Sequence, residues 1–275
     1  MVLQIFLKKG IITMGKISLQ MYTMREHTTT MGDLENTLDR LKDIGFTMLQ
    51  YSVPAAYDAN EVARLFEERG LTNDSVYCPV MKIEENYSKV ISMCELFNTS
   101  YVRTGTMPKG LSGDPAGYKM FAHYLNEVGA EYKKNGMKIL YHFHAFEFIR
   151  FGDTTGIDIF LKESDPEVVQ IMPDTHWIHS GGKSIVEFME QYKDRYDYIH
   201  VKDFGVGSRE ALLEAHPATY EPVGEGNINW KPIIELSQKN NVKSYAIEQD
   251  ECYGRDAFDC VKSSFDYLRG LGVDR

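Results

Sequence analysis

Four short segments carry most of the side chains that could do acid–base or metal chemistry. They are Tyr141-His142-Phe143-His144-Ala145-Phe146-Glu147, Pro173-Asp174-Thr175-His176-Trp177, Ile199-His200-Val201-Lys202-Asp203 and Ile247-Glu248-Gln249-Asp250-Glu251. Each one leaves an apolar, β-forming run and reaches a carboxylate or an imidazole. Glu147, Asp174, His200 and Glu248 make a set of three carboxylates and one imidazole. Hard oxygens with a single nitrogen suit one divalent ion, Mn2+ or Mg2+, with Co2+, Fe2+ or Zn2+ as alternatives. In the first segment His142, His144 and Glu147 compete for one or two places, because a strand end is legible only to within a few residues. His142 and His144 alternate with Tyr141 and Phe143, so both face one way, toward a substrate pocket. Lys202 shares the face of His200 and could polarise a carbonyl or act as an acid. Trp177 suits packing against a sugar face or sealing the mouth.

Taken singly, these residues have plainer uses. Asp174 could cap the turn after its strand, His200 could be a packed core histidine, and Lys202 could pair with Asp250 or Glu248. A buried carboxylate at Glu248, after Ala246 and Ile247, needs a cation or donors to offset its desolvation. Gathered on one rim, the four groups favour the metal reading.

The elements that must gather them recur with a regular period. β-Forming runs at 17–25, 46–53, 75–80, 101–105, 137–148, 168–174, 196–203 and 242–249 alternate with helical stretches. Those stretches fall at 31–44, 59–69, 83–97, 116–134, 156–162, 184–192, 230–238 and 256–271. In the first helix Leu34, Leu38 and Leu41 share a face, and Gly70 closes the second. Strict alternation implies parallel strands, since each crossover returns the chain to the same edge. Eight such strands close into a barrel filled by side chains. The expected fold is therefore α/β, a single (β/α)8 TIM barrel over 14–275, with 1–13 as an N-terminal extension. An open doubly wound sheet ranks second, because no GxGxxG follows the first strand. Active residues of such a barrel sit at the C-terminal strand ends, which is where the four segments lie, and one βα unit takes roughly 30 residues, close to their spacing. Tyr22, Tyr51 and Arg103 end earlier strands and are candidate pocket residues. The loop Gly224-Glu225-Gly226-Asn227-Ile228-Asn229-Trp230 permits close backbone approach, with Asn229 as an expected N-cap.

The formal net charge of -10 over 275 residues repels phosphate backbones and anionic surfaces, so nucleic acid is not the expected partner. Four cysteines without a CxxC pair read as free thiols in a reducing compartment. The apolar opening, with Lys8 and Lys9 in its middle, is shorter than the roughly 20 residues of a bilayer span. It also reverses the charge-then-apolar order of a signal peptide. A cytoplasmic enzyme with no membrane partner is expected.

The same segments resemble the sugar phosphate isomerase/epimerase superfamily, the xylose isomerase-like barrels. The marks are 141–148, Asp174–Trp177 with Gly181-Gly182, His200–Asp203, Val223–Trp230 and Ile247–Asp250, and the resemblance covers 17–272. It implies metal ligands at Glu147, Asp174, His200 and Glu248, and a small carbohydrate substrate. Barrels of this kind often form homo-oligomers. Glu147, Glu248, His142 and Lys202 are the catalytic candidates, and His144, Trp177, Tyr22 and Arg103 the substrate-binding ones. In the ketose 3-epimerase branch two glutamates exchange a proton across an enediolate. Here His142 stands near one of those positions, with Glu147 further along, and Trp177 replaces a histidine. A His-x-His on this strand is closer to the inosose dehydratase-like members. Isomerase or epimerase action on a sugar, keto-sugar or sugar phosphate is expected first, and dehydration by the same enolisation second. The rivals are an abasic-site endonuclease, which needs a basic groove, and a non-catalytic sugar-binding barrel, which needs no metal.

Overall fold

The computed structural model of the chain describes residues 15–207 and 218–274. The extension expected at 1–13 lies outside the described residues. The strands, in chain order, are β1 (Lys16–Leu19), β2 (Met48–Leu49), β3 (Thr72–Asn73), β4 (Val76–Tyr77), β5 (Tyr101–Gly105), β6 (Lys138–His142), β7 (Arg150–Phe151) and β8 (Thr154–Thr155). They continue with β9 (Val169–Met172), β10 (Tyr198–Val201), β11 (Asp203–Val206), β12 (Ala218–Glu221) and β13 (Ser244–Ile247). Parallel ladders run β4-β5-β6-β9 and β10-β13-β1, and β2 pairs β3. Two single-residue parallel bridges, Gln20–Gln50 and Asp174–His200, join these arcs. With β3 and β4 as two pieces of one stave, eight staves close into a ring, as the alternation predicts.

The helices are α1 (Met31–Ile44), α2 (Ala59–Glu68), α3 (Tyr87–Leu96), α4 (Pro115–Lys133), α5 (Gly156–Glu163), α6 (Thr175–Ser180), α7 (Ile185–Gln191), α8 (Trp230–Lys239) and α9 (Ala257–Gly270). Local chemistry starts them. Thr30 with Asp33 and Thr155 with Asp158 form capping boxes, and Asp114 caps α4 ahead of Pro115. Leu34, Leu38 and Leu41 are fully buried against the ring. No helix among the described residues is long and apolar enough to cross a membrane.

The departures from expectation lie where side chains bond to nearby backbone. The first strand stops at Leu19, and Met21–His27 is a 3-10 helix with Gln20 accepting from the Tyr22 N–H. The fifth stave stops at His142, and Ala145–Phe148 is another 3-10 turn, closed by Glu147 accepting from the His144 N–H. Such bonds compete with the ladder, so alternation in sequence overruns the strand. The antiparallel pair β11–β12 and the helix α6 were not expected. Asn229 stands at the N-cap of α8 but its side chain makes no capping bond.

Inside the ring a polar layer lies under the C-terminal mouth. Asp74 accepts from Ser18, Ser75, Ser244 and Gln50. Tyr101, Leu140, Met172 and Tyr198 form an apolar cluster of their own.

Candidate active site

Neighbouring staves present the rim residues. His142 ends β6, Asp174 follows β9, His200 stands within β10 and Glu248 follows β13. All four are buried, and one donor atom from each lies within 4.8 Å of the others. His142 Nε2 is 3.2 Å from Asp174 Oδ2, and His200 Nδ1 is 2.9 Å from Glu248 Oε2. Asp174 faces two ways. Its Oδ1 caps α6 by accepting from the Trp177 N–H at 3.1 Å, while Oδ2 faces the imidazoles.

A second tier orients the first. Gln50 Nε2 donates to both oxygens of Asp74, which leaves Gln50 Oε1 to accept from His200 Nε2 at 2.7 Å. That bond places a proton on Nε2 and turns Nδ1 inward as the donor atom. Gln20 Nε2 also donates to Gln50 Oε1, at 2.7 Å. Thr175 Oγ1 accepts from the Lys202 N–H and donates to the Lys202 carbonyl, stitching the start of α6 to β10.

Charge is unevenly shared. Burial opposes ionisation of Asp174, yet hydrogen bonds from His142 and His200 hold its carboxyl well below the usual range. Burial likewise opposes ionisation of Glu248, but Lys202 and His200 outweigh it and hold the carboxyl low. Burial disfavours the charged form of His200, and Glu248 and Asp174 reverse this, pushing it up to about 9. Burial lowers both His142 and His144, the latter to about 4. Lys202 Nζ sits 2.6 Å from Asp250 Oδ2, 3.5 Å from Glu248 Oε2, and 4.9 Å over the rings of Trp177 and Tyr220. Those carboxylates overcome burial and keep it an ammonium.

Above the four groups opens a cavity of about 500 Å3. His142, His144, Trp177, Lys202, Glu248 and Asp250 line one half; Gln20, Tyr22, Ser52, Tyr77, Arg103 and Thr106 line the other. Tyr22, 54% exposed, forms the lip, whereas Arg103 is buried. Tyr51 lies outside this lining and beside Phe66. His144 Nδ1 and Trp177 Nε1 are buried without a hydrogen-bond partner among the described residues.

Glu147 is the sequence candidate that the geometry does not bring to the cluster. Its carboxylate accepts from the Tyr141 hydroxyl and the His144 N–H, and burial pushes it up to about 7. Because the stave ends at His142, the chain has already turned away by residue 147, and His142 takes the inward place. The donor set is therefore two imidazoles and two carboxylates. It fits a divalent cation: the four donors converge, the His200 tautomer is fixed from behind, and no ammonium stands nearer than Lys202. Gln20, Gln50 and Asp74 escaped sequence reading, although the polar residue ending each apolar run, Leu19-Gln20 and Leu49-Gln50, is the available signal. Asp203 escaped it too. Its carboxylate accepts from the N–H groups of Phe204, Gly224, Gly226 and Ile228 and from Trp230 Nε1, and so pins the glycine loop.

The family model described as xylose isomerase-like TIM barrel matches residues 38–269. The chain belongs to that family. Among curated relatives, inosose dehydratase of Mesomycoplasma hyopneumoniae is 30% identical over 166 residues, 56% of this chain and 54% of its own length. Inosose dehydratase of Clostridium perfringens is 26% identical over 142 residues, 49% of this chain and 47% of its own. The chain thus spans about half the length of the curated relatives it matches. A sugar phosphate isomerase/epimerase structure from Parabacteroides distasonis superposes with a TM-score of 0.79 at 23% identity, covering 94% of each chain.

Proposed function

We propose that this protein removes a carbon-bound proton next to a carbonyl in a polyhydroxylated substrate and then expels a β-hydroxyl, as a dehydratase. The observation that carries this reading is the convergence of His142, Asp174, His200 and Glu248 beneath a cavity that also holds a charged lysine and an unpartnered imidazole. A divalent cation held by those four residues would supply Lewis acidity toward the substrate's carbonyl oxygen. Two nitrogen donors shift the preference away from Mg2+ toward Mn2+, Fe2+, Co2+ or Zn2+, and Mn2+ remains our first choice.

His144 is neutral, lines the cavity and has a nitrogen without a partner, which suits it to take the proton from carbon. The electron pair left behind moves onto the carbonyl oxygen, giving an enolate. As the carbonyl re-forms, the β-carbon–oxygen bond breaks, and Lys202 Nζ gives its proton to the departing hydroxyl, which leaves as water. Lys202 then recovers a proton from solvent as His144 loses one. The half-length similarity to inosose dehydratases supports this outcome. So does the position of Glu147, since the facing pair of glutamates implied by the ketose 3-epimerase branch is not assembled.

Isomerase or epimerase action is the second reading. It shares the first step, and it is supported by His144 and Lys202 both lining the cavity beside Trp177, so that one could return a proton taken by the other. The test is incubation in D2O with a panel of keto-sugars and inososes, with Mn2+ and after chelation. Mn2+-dependent deuterium incorporation with a dehydrated product is expected. Exchange without water loss would transfer the claim to the second reading, and failure to bind any divalent ion would sink both.

A further inference from the structure

Arg103 is buried to 6% exposure at the mouth of the ring, within β5. Its Nε donates to Ser75 Oγ at 3.3 Å and its Nη2 to Ser52 Oγ at 3.2 Å, and the guanidinium lies over the Tyr77 ring at 5.0 Å. These contacts fix the plane of the fork, and the Ser75 hydroxyl that accepts from it donates in turn to Asp74. No carboxylate stands within ion-pairing distance of Arg103 among the described residues. The two whose charge it feels stand farther off: Asp74, reached through Ser75, and Glu248, which pairs with His200 and Lys202. Its remaining N–H groups, Nη1 among them, have no protein acceptor and belong to a side chain that lines the cavity.

A buried guanidinium with no carboxylate in direct contact leaves N–H groups desolvated and unpaired, which favours an anion that meets them. Among the described residues the other cation lining the cavity, Lys202, is already paired with Asp250 at 2.6 Å. This half of the cavity therefore offers one positive charge, a planar fork and the nearby Ser52 and Thr106 hydroxyls. A carboxylate matches that in charge and in shape. A phosphate dianion would bury a second negative charge with no partner. Neutral sugars would leave its free N–H groups without a charged acceptor.

We infer that the substrate carries a carboxylate, held by Arg103 across the cavity from the reacting carbon: it is a polyhydroxylated keto acid rather than a neutral or phosphorylated sugar. This rests on the proposed function only for which carbon reacts. The carboxylate preference is read by binding, without turnover, so it can fail while deuterium exchange succeeds, and the reverse.

The experiment is calorimetric titration of the Mn2+-loaded protein with matched ligands: quinate against myo-inositol, 2-ketogluconate against fructose, and fructose 6-phosphate as the phosphate arm. The carboxylate member of each pair is expected to bind about ten-fold tighter or better. That preference should vanish in Arg103→Gln and weaken in Arg103→Lys, which keeps the charge and loses the fork. Unchanged melting would show that the variants fold; should Arg103→Gln fail to fold, the wild-type comparison and Ser52→Ala, expected to lower only the carboxylate affinities, still decide. Equal or tighter binding of the neutral members overturns the inference. So does tighter binding of fructose 6-phosphate, a preference that survives Arg103→Gln, or absence of carboxylate binding at millimolar concentration.

Discussion

His144 and Glu147 lie three residues apart and separate two kinds of contribution. His144 lines the cavity, while Glu147 holds its backbone N–H. Replacing His144 by Gln should slow deuterium exchange by about 10²- to 10⁴-fold, the usual weight of a general base. Mn2+ affinity should stay unchanged, because His144 is not among the four converging donors; Glu248→Gln should lose both. Glu147 makes a prediction about stability instead. Its folded value, about 7, lies above the ordinary 4.5, so the folded state holds its proton more tightly than the unfolded chain. That contribution is complete below pH 4.5 and fades as pH rises through about 7, on the order of 3 kcal/mol in all. Melting curves across this window should show wild type losing stability relative to Glu147→Gln, whose neutral amide has nothing to titrate. Parallel curves would refute the assignment. Sequence alone could not choose between His142 and Glu147, because the choice turns on a strand ending at His142, and the residue that ends it is Glu147 itself.

The glycine loop before α8 is an element held by one side chain. Five N–H groups converge on the Asp203 carboxylate. Asp203→Ala should leave them buried without acceptors and destabilise the fold by about 3 to 5 kcal/mol. Amide exchange across 224–230 should accelerate before the rest of the ring responds. Gly226→Ala should do the same by collision, since a Cβ there would meet Asp203 Oδ1 at 2.4 Å. The helices around this loop were legible because apolar spacing such as Leu34, Leu38 and Leu41 needs only the local sequence. Asp203 was not, because four of its five partners lie more than twenty residues downstream and most are backbone groups, which carry no signature. The same limit hid the polar layer: Gln50 and Asp74 look unremarkable until the ring brings His200 to them.

At the scale of the whole molecule, the cation and the fold are coupled. A ligand that binds only the folded chain stabilises it by about 2.7 kcal/mol at a hundred-fold excess over Kd. For a domain of this size that corresponds to roughly 5 to 10 °C in melting temperature. Mn2+ should raise the melting temperature by such an amount, chelator should reverse it, and Asp174→Asn should abolish the response. An unresponsive melting curve from protein shown to bind Mn2+ would mean that the site survives unfolding, contrary to its assembly from separate staves. The ring itself was legible, as eight alternations admit few closures. What the sequence withheld was how thinly that ring is joined.

Between β9 and β10 the ladder narrows to the single bridge Asp174–His200. On one side of it stand β4-β5-β6-β9 with His142 and Asp174; on the other, β10-β13-β1 with His200 and Glu248. Each arc thus owns half of the ligand set, and the seam runs through its middle. A cation there would act as a clasp, and its loss would be felt first as breathing between the arcs. A fragment holding one arc alone would present two of the four converging donors, too few to grip an ion.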